Sequence, residues 1–305
     1  MRGQRGIALI MVLWSMAIMT LIAMIFSRGV STDLMLSRYF INQVRASALA
    51  EAGIWRAAMM LLDSQQQGSR GARMRLDGTP YRLTADEGRL QVAAQSEAGL
   101  IDLNQASPEL LHSLIGHYTR DDALTDTIVD AILDWRDGDS IARTHGAEDE
   151  DYAAMGLAYG ARDGRINSTD ELRRIAGVSQ DLYGRLLPLV SIFSNQGRVS
   201  VRYAPREVLA SLPDMTGELA DSMVDQREQA SYAIMSAMPA RARRYIGLLK
   251  SPFIRIRSKA TVAGVSAGIT ATIMLKAGPR LPVTIVSWRE VLDKDFNPGK
   301  PSERP

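Results

Sequence analysis

Met1-Arg2-Gly3-Gln4-Arg5-Gly6 opens the chain, and the twenty residues that follow, Ile7 to Phe26, carry no charge. A helix of that length spans about 30 Å, the thickness of a bilayer's hydrocarbon core. Residues 7–26 therefore read as a transmembrane helix. Arg2 and Arg5 precede it, so the positive-inside rule places that end in the cytoplasm and the bulk of the chain in the periplasm, beyond the inner membrane. A removed secretory signal is the competing reading. Its apolar core usually runs about 7 to 15 residues and ends at small side chains. Here the run is longer, contains Trp14 and leaves through Phe26-Ser27-Arg28-Gly29, which favours a retained anchor.

Helical character extends past the apolar block. No proline falls between Val30 and Leu62, and Gly53 is the one weak point. Leu34, Ile41, Ala48, Trp55 and Leu62 recur every seven residues, with Val30, Val44 and Met59 between them. Arg38, Arg45, Glu51 and Arg56 fall off that stripe. Residues 27–62 are thus expected to continue the helix and to pack this stripe on their own domain. The polar run from Asp63 to Gly71 ends it.

Residues 72–100 then hold two strand candidates, Tyr81–Thr84 and Leu90–Ala93, around an Asp86-Glu87-Gly88 turn. Strand character returns over 251–292. Ile254, Ile256 and Ser258 alternate there with Arg255, Arg257 and Lys259, read as a solvated basic face. Ile269–Lys276 and Val283–Arg289 follow, separated by Gly278-Pro279 and Pro282. The proline-rich polar tail, 293–305, is expected to be flexible.

Between the strands lies a helical block, 101–250, with an internal repeat. Asp102 to Leu114 aligns with Ser200 to Leu212, and Asp134-Trp135-Arg136-Asp137 with Asp225-Gln226-Arg227-Glu228. Each copy opens with an extended residue pair and enters a short helix through Pro108 or Pro205, where a first turn tolerates proline. Two units are expected, about 101–195 and 196–250. Leu103-Asn104-Gln105-Ala106 and Glu171 to Val178 resemble helix-hairpin-helix or SAM-like modules, which would imply phosphate contacts through a Gly-x-Gly hairpin. Val178 and Ser179 follow Gly177 here and the surroundings are acidic, so a packing role is preferred and no nucleic acid is expected.

Composition excludes several classes. No Cys is present, and the three His leave no histidine-rich metal site. Thirty-six basic residues balance thirty-four acidic ones, too even for electrostatic capture of nucleic acid. Nucleophile elbow, phosphate loop and His-Glu metal pair are all missing from the sequence, so the chain is not read as an enzyme. Residues 134–151, however, hold seven acids against two Arg. Asp134, Asp137, Asp139, Glu148, Asp149 and Asp151 are the candidate ligands. Hard oxygen donors at irregular loop spacing suit Ca²⁺. Asp137, Asp139 and Glu148 would take positions 1, 3 and 12 of an EF-hand loop, but Ala142 stands where that loop needs glycine. A non-EF calcium loop and a solvated acidic loop both remain open on spacing alone.

The leader ending at Gly6, the apolar helix and its long continuation resemble a type IV pilin-like precursor. Leu103-Asn104-Gln105-Ala106-Ser107, Asp134 to Asp137, Gly146-Ala147-Glu148-Asp149, Pro205 to Leu212, Ser251 to Ala260 and Trp288-Arg289-Glu290 resemble the type II secretion minor pseudopilin K family. The resemblance implies an α+β fold: a long N-terminal transmembrane helix packed on a small antiparallel sheet, with a large duplicated helical domain inserted between strands. It implies that residues 1–6 are a prepilin leader, cut between Gly6 and Ile7 by a prepilin peptidase that also methylates Ile7. Further implied are calcium in the helical domain, minor pseudopilins I, J and H as partners, and contact with the inner-membrane assembly platform and with lipid. Such a subunit belongs to the tip complex that starts and caps a periplasmic pseudopilus. Most pilin-like subunits carry Glu five residues after the cut, where it pairs with a neighbour's amine. Met11 stands there instead, which suits a subunit with nothing ahead of it. A minor pilin of a type IV pilus, an anchored helix-hairpin-helix DNA-binding protein and an anchored hydrolase are the rival readings.

Overall fold

A computed structural model describes residues 4–66, 74–227, 235–276 and 283–291; the side chains of 4–7, 25–34, 65 and 66 fall outside it. The side chains of Gly6, Ile7, Val30 and Leu34, residue Glu228, the Gly278-Pro279 and Pro282 separators and the tail therefore lie outside the described residues.

Helix α1 runs unbroken over Gln4–Gln66, 63 residues, or about 94 Å at 1.5 Å per residue. Among the described residues no helix is long and apolar enough to cross a membrane. Side chains from Leu9 to Met24 that are large and apolar are exposed all around the helix, with nothing among the described residues covering them.

The second half of α1 packs on a five-stranded antiparallel sheet of order β1-β2-β7-β8-β9. These strands are β1 (Asp77–Leu83), β2 (Arg89–Ser96), β7 (Phe253–Val262), β8 (Val265–Leu275) and β9 (Val283–Val291). The expected hairpin at 86–88 joins β1 to β2, with Tyr81 opposite Val92 and Leu83 opposite Leu90.

The face that α1 presents to the sheet differs from the expected stripe. Ala46, Ala50, Gly53, Ile54, Ala57, Ala58 and Leu61 are buried, while Ile41, Val44, Ala48, Trp55 and Met59 are exposed. At 100° per residue the two sets lie on nearly opposite sides of the helix. Small residues win the sheet face because they let the helix axis come close. A Cβ on Gly53 would sit 2.2 Å from Ser258 Oγ and 2.8 Å from Leu90 Cδ1. Ile54 and Leu61 then reach Val92, Ile256, Ile269 and Ile273 in one core cluster.

A helical domain interrupts the sheet between β2 and β7. Its first part holds β3 (Ile101–Asp102), α2 (Pro108–Thr119), α3 (Asp122–Arg136), α4 (Asp149–Ala154), α5 (Gln180–Leu186) and β4 (Val190–Ser191). Its second part holds β5 (Val199–Ser200), α6 (Arg206–Ala210), α7 (Gly217–Gln226), α8 (Ala240–Arg243) and β6 (Ile246–Gly247). Each part begins with a two-residue strand that pairs in parallel with a two-residue strand at its own end, β3 with β4 and β5 with β6. Hydroxyl and carboxylate caps start the helices: Ser107 accepts from Leu110 N, Asp121 from Leu124 N, Ser179 from Leu182 N and Thr216 from Leu219 N. Pro108 occupies the first turn of α2 and Pro205 the N-cap of α6.

Two buried ion pairs join domain and sheet. Arg255 on β7 meets Glu97, just after β2, and its Nη2 also donates to Val190 O at 2.8 Å. Arg227, after α7, meets Asp77 of β1 at 3.0 Å, both side chains almost fully enclosed. Bonds from Thr79 and the charges of Arg227 and Arg75 outweigh burial and hold the Asp77 carboxyl below its usual range. The solvated basic face expected on β7 is thus corrected at Arg255, whose guanidinium turns into the domain junction. On the same face, burial and the charge of Arg255 push Arg257 down to about 10.

Candidate metal centre

The acidic segment is built on the end of α3. Ile128 and Ile132 bury one face of that helix against Leu111 and Leu114 of α2 in the domain core. Trp135, one residue past Asp134, stacks edge-on against Tyr152 of α4, centroids 5.7 Å apart, and donates Nε1–H to Glu171 Oε2 at 3.0 Å. Those contacts fix the two ends of the 137–148 loop. Asn104 exchanges two hydrogen bonds with Ile166, 2.8 and 3.0 Å, and draws the 160s loop alongside.

Asp137, Asp139 and Glu148 offer oxygens that all lie within 4.8 Å of one another. These are the three residues that sequence spacing placed on positions 1, 3 and 12 of a calcium loop. Glu148 is 5% exposed. Neither of its carboxylate oxygens has a hydrogen-bond partner, and Asp137 Oδ1 is likewise enclosed and unpaired. A buried carboxylate without donors is costly. Burial first, then the charges of Asp134, Asp163, Asp137 and Asp139, push the Glu148 carboxyl up to about 7. Burial also raises Asp137. Three converging hard oxygens, two of them from carboxylates short of partners, fit a divalent cation of the calcium type.

The other candidates serve different ends. Asp134 is fully buried, and burial raises its carboxyl, but Arg143 satisfies it: Nη1 donates to Oδ1 and the backbone N to Oδ2, each at 3.1 Å. Asp151 Oδ2 accepts from Glu148 N at 2.9 Å and so caps α4. Asp149 lies against Gly160, where an added Cβ would come within 1.7 Å of its Oδ1. Asp163 was missed by the sequence reading. Its charge raises Glu148, and its carbonyl lies 4.0 Å from where a Gly138 Cβ would stand. It reaches the loop through a left-handed turn, φ 53°. The Asp163-Gly164 dipeptide was the available signal.

Gly177, central to the helix-hairpin-helix likeness, has φ 81°, and a Cβ there would meet Ile128 Cγ1 at 2.8 Å. It permits close packing on α3.

A long helix lies on an antiparallel sheet, and a helical domain is set between two of its strands. Residues 88–195 match the family described as type II secretion system (T2SS), protein K. Type II secretion system protein K of Pectobacterium carotovorum subsp. carotovorum is 24% identical over 259 residues, 77% of this chain and 79% of that protein. The Pseudomonas aeruginosa protein of the same name is 27% identical over 252 residues, 76% and 74% of the two chains. In fold, the chain resembles one from the crystal structure of the GspK-GspI-GspJ complex of enterotoxigenic Escherichia coli, with TM-score 0.58, 16% identity, and 87% and 99% coverage. Over residues 88–195 the chain thus matches the protein K family model, and over about three quarters of its length it is similar to proteins of that name.

Proposed function

We propose that the chain is a minor pseudopilin of the type II secretion system, acting in the tip complex that initiates and caps the pseudopilus for export of folded proteins. The observation that carries this is the likeness of fold, spanning 99% of a chain in the GspK-GspI-GspJ complex, joined to the family match over the inserted domain. Minor pseudopilins I and J, with H, are its partners on this reading. The role is structural, without catalysis, and the two parts of the inserted domain are copies of one small helical module.

The N-terminal half of α1 is the membrane anchor, its cytoplasmic leader removed between Gly6 and Ile7 by the prepilin peptidase, with methylation of Ile7. Its support is the uncharged run from Ile7 to Phe26 and the exposure of that surface around the helix. The chain then sits in the inner membrane with its domains in the periplasm, engaging the assembly platform. Met11, 67% exposed, leaves position five without a carboxylate, so no neighbour is needed above it. Calcium held by Asp137, Asp139 and Glu148 stabilises the inserted domain by neutralising carboxylates that otherwise repel one another.

Co-expression of the full chain with I and J, followed by purification in detergent, tests the reading. A stoichiometric three-subunit complex is expected; a chain that purifies alone under conditions where I and J associate would count against it. The DNA-binding alternative is disfavoured by the packing role of Gly177.

A further inference from the structure

Arg143 stands at the edge of the candidate calcium loop and is not one of its ligands. Its Nη1 lies 3.1 Å from Asp134 Oδ1 and 3.1 Å from Asp137 Oδ2. Asp137 thereby presents one oxygen to a guanidinium, while its other oxygen, Oδ1, is buried and unpaired. With Arg143 N also on Asp134 Oδ2, one residue ties the end of α3 to the middle of the loop. Among the described residues Arg143 ion-pairs with both Asp134 and Asp137, and Asp137 in turn adjoins Asp139 and Glu148.

We propose that Arg143 is an internal counter-ion that neutralises Asp134 and Asp137 before metal arrives and then limits metal affinity by competing with the bound cation for Asp137. The inference rests on the calcium reading of this loop. The physical reason is that two cations on one carboxylate repel each other in a poorly screened site. The same guanidinium also spares Asp134 and Asp137 from facing each other unpaired when no metal is present. A residue of this kind makes the domain foldable where calcium is scarce and keeps binding responsive where it is abundant.

Arg143→Gln separates this role from plain scaffolding, because the two effects have opposite signs. In the full chain in detergent, the metal-free variant should melt lower by about 2–4 °C or more. Calorimetric titration with CaCl₂ should show binding at least about tenfold tighter than wild type. Arg143→Lys keeps the charge and should bind within about threefold of wild type, roughly 0.7 kcal/mol. Unchanged or weaker calcium binding in Arg143→Gln overturns the proposal, as does a variant that stays unfolded at saturating calcium, since metal should replace the missing cation. A wild-type chain that gives no calcium heat overturns the calcium reading itself, and the inference with it.

Discussion

Arg255 on β7 grips both carboxylate oxygens of Glu97, Nε to Oε1 at 2.9 Å and Nη2 to Oε2 at 3.1 Å, and Glu97 is fully buried. The pair sits where the chain leaves β2 for the inserted domain. A bidentate guanidinium fits such an enclosed carboxylate better than an ammonium could. Arg255→Met should destabilise the chain by about 3–5 kcal/mol, because Glu97 is left charged without a partner. The double change Arg255→Met with Glu97→Gln should recover part of that loss. Urea unfolding of wild type and the two variants measures it, and equal stability of single and double variants would contradict the argument.

Gly53 packs α1 against Ser258 of β7, with no room for a side chain between them. Gly53→Leu should cost about 1–3 kcal/mol or more through overpacking. Ser258→Ala should be neutral or slightly stabilising, since its buried Oγ has no partner. Combined with Gly53→Ala, it should be additionally favourable, by removing the atom the new methyl meets. Thermal melts of wild type, Gly53→Ala, Ser258→Ala and the double variant form the cycle.

Trp55 and Met59, 44% and 70% exposed, lie on the side of α1 away from the sheet. Changing both to Gln should alter unfolding free energy by no more than about 0.5 kcal/mol. If that stripe meets neighbouring helices in the tip complex, the same variant should co-purify poorly with I and J. Loss of stability with intact assembly would reverse the assignment of the two faces.

Without calcium, the raised carboxyl of Glu148 links stability to pH. The folded group titrates near 7 and the unfolded one near the ordinary 4.5, so between those values the folded state holds the extra proton. Stability should therefore fall as pH rises from about 4.5 to 7. Calcium should flatten or reverse that slope by favouring the ionised carboxylate. Melting curves across this range, with EDTA and with CaCl₂, check the sign. Glu148→Gln should abolish both the slope and the calcium response.

Gly6→Ala should leave a slower-migrating precursor, visible on a gel beside wild type. Equal migration of the two would remove the basis for a processing site at Gly6.

Much of this architecture can be read along the chain. The 86–88 hairpin, the three late strands and the interruption between them follow from alternation and turn chemistry, which are local. The buried face of α1 does not. Heptad spacing of large side chains points to Ile41, Val44 and Trp55, yet the sheet selects Ala46, Ala50, Gly53 and Ala57, whose worth lies in closeness rather than in area. At the acidic loop, spacing alone singles out Asp137, Asp139 and Glu148. It misses Asp163, which arrives through a separate loop held by Asn104 and Ile166. Nor does sequence reveal that Asp134 pairs with Arg143, that Asp149 lies against Gly160 and that Asp151 caps α4.

Ser96, the last residue of β2, is the register partner of Ile254 in β7. The whole helical domain thus enters and leaves the sheet between two directly hydrogen-bonded strands, as an enlarged hairpin loop. A single insertion or excision there would leave every strand order and every pairing intact. A chain shortened to a tight turn between Ser96 and Ile254 would keep the strand order but would lose Glu97 and Arg227, leaving Arg255 and Asp77 without these partners.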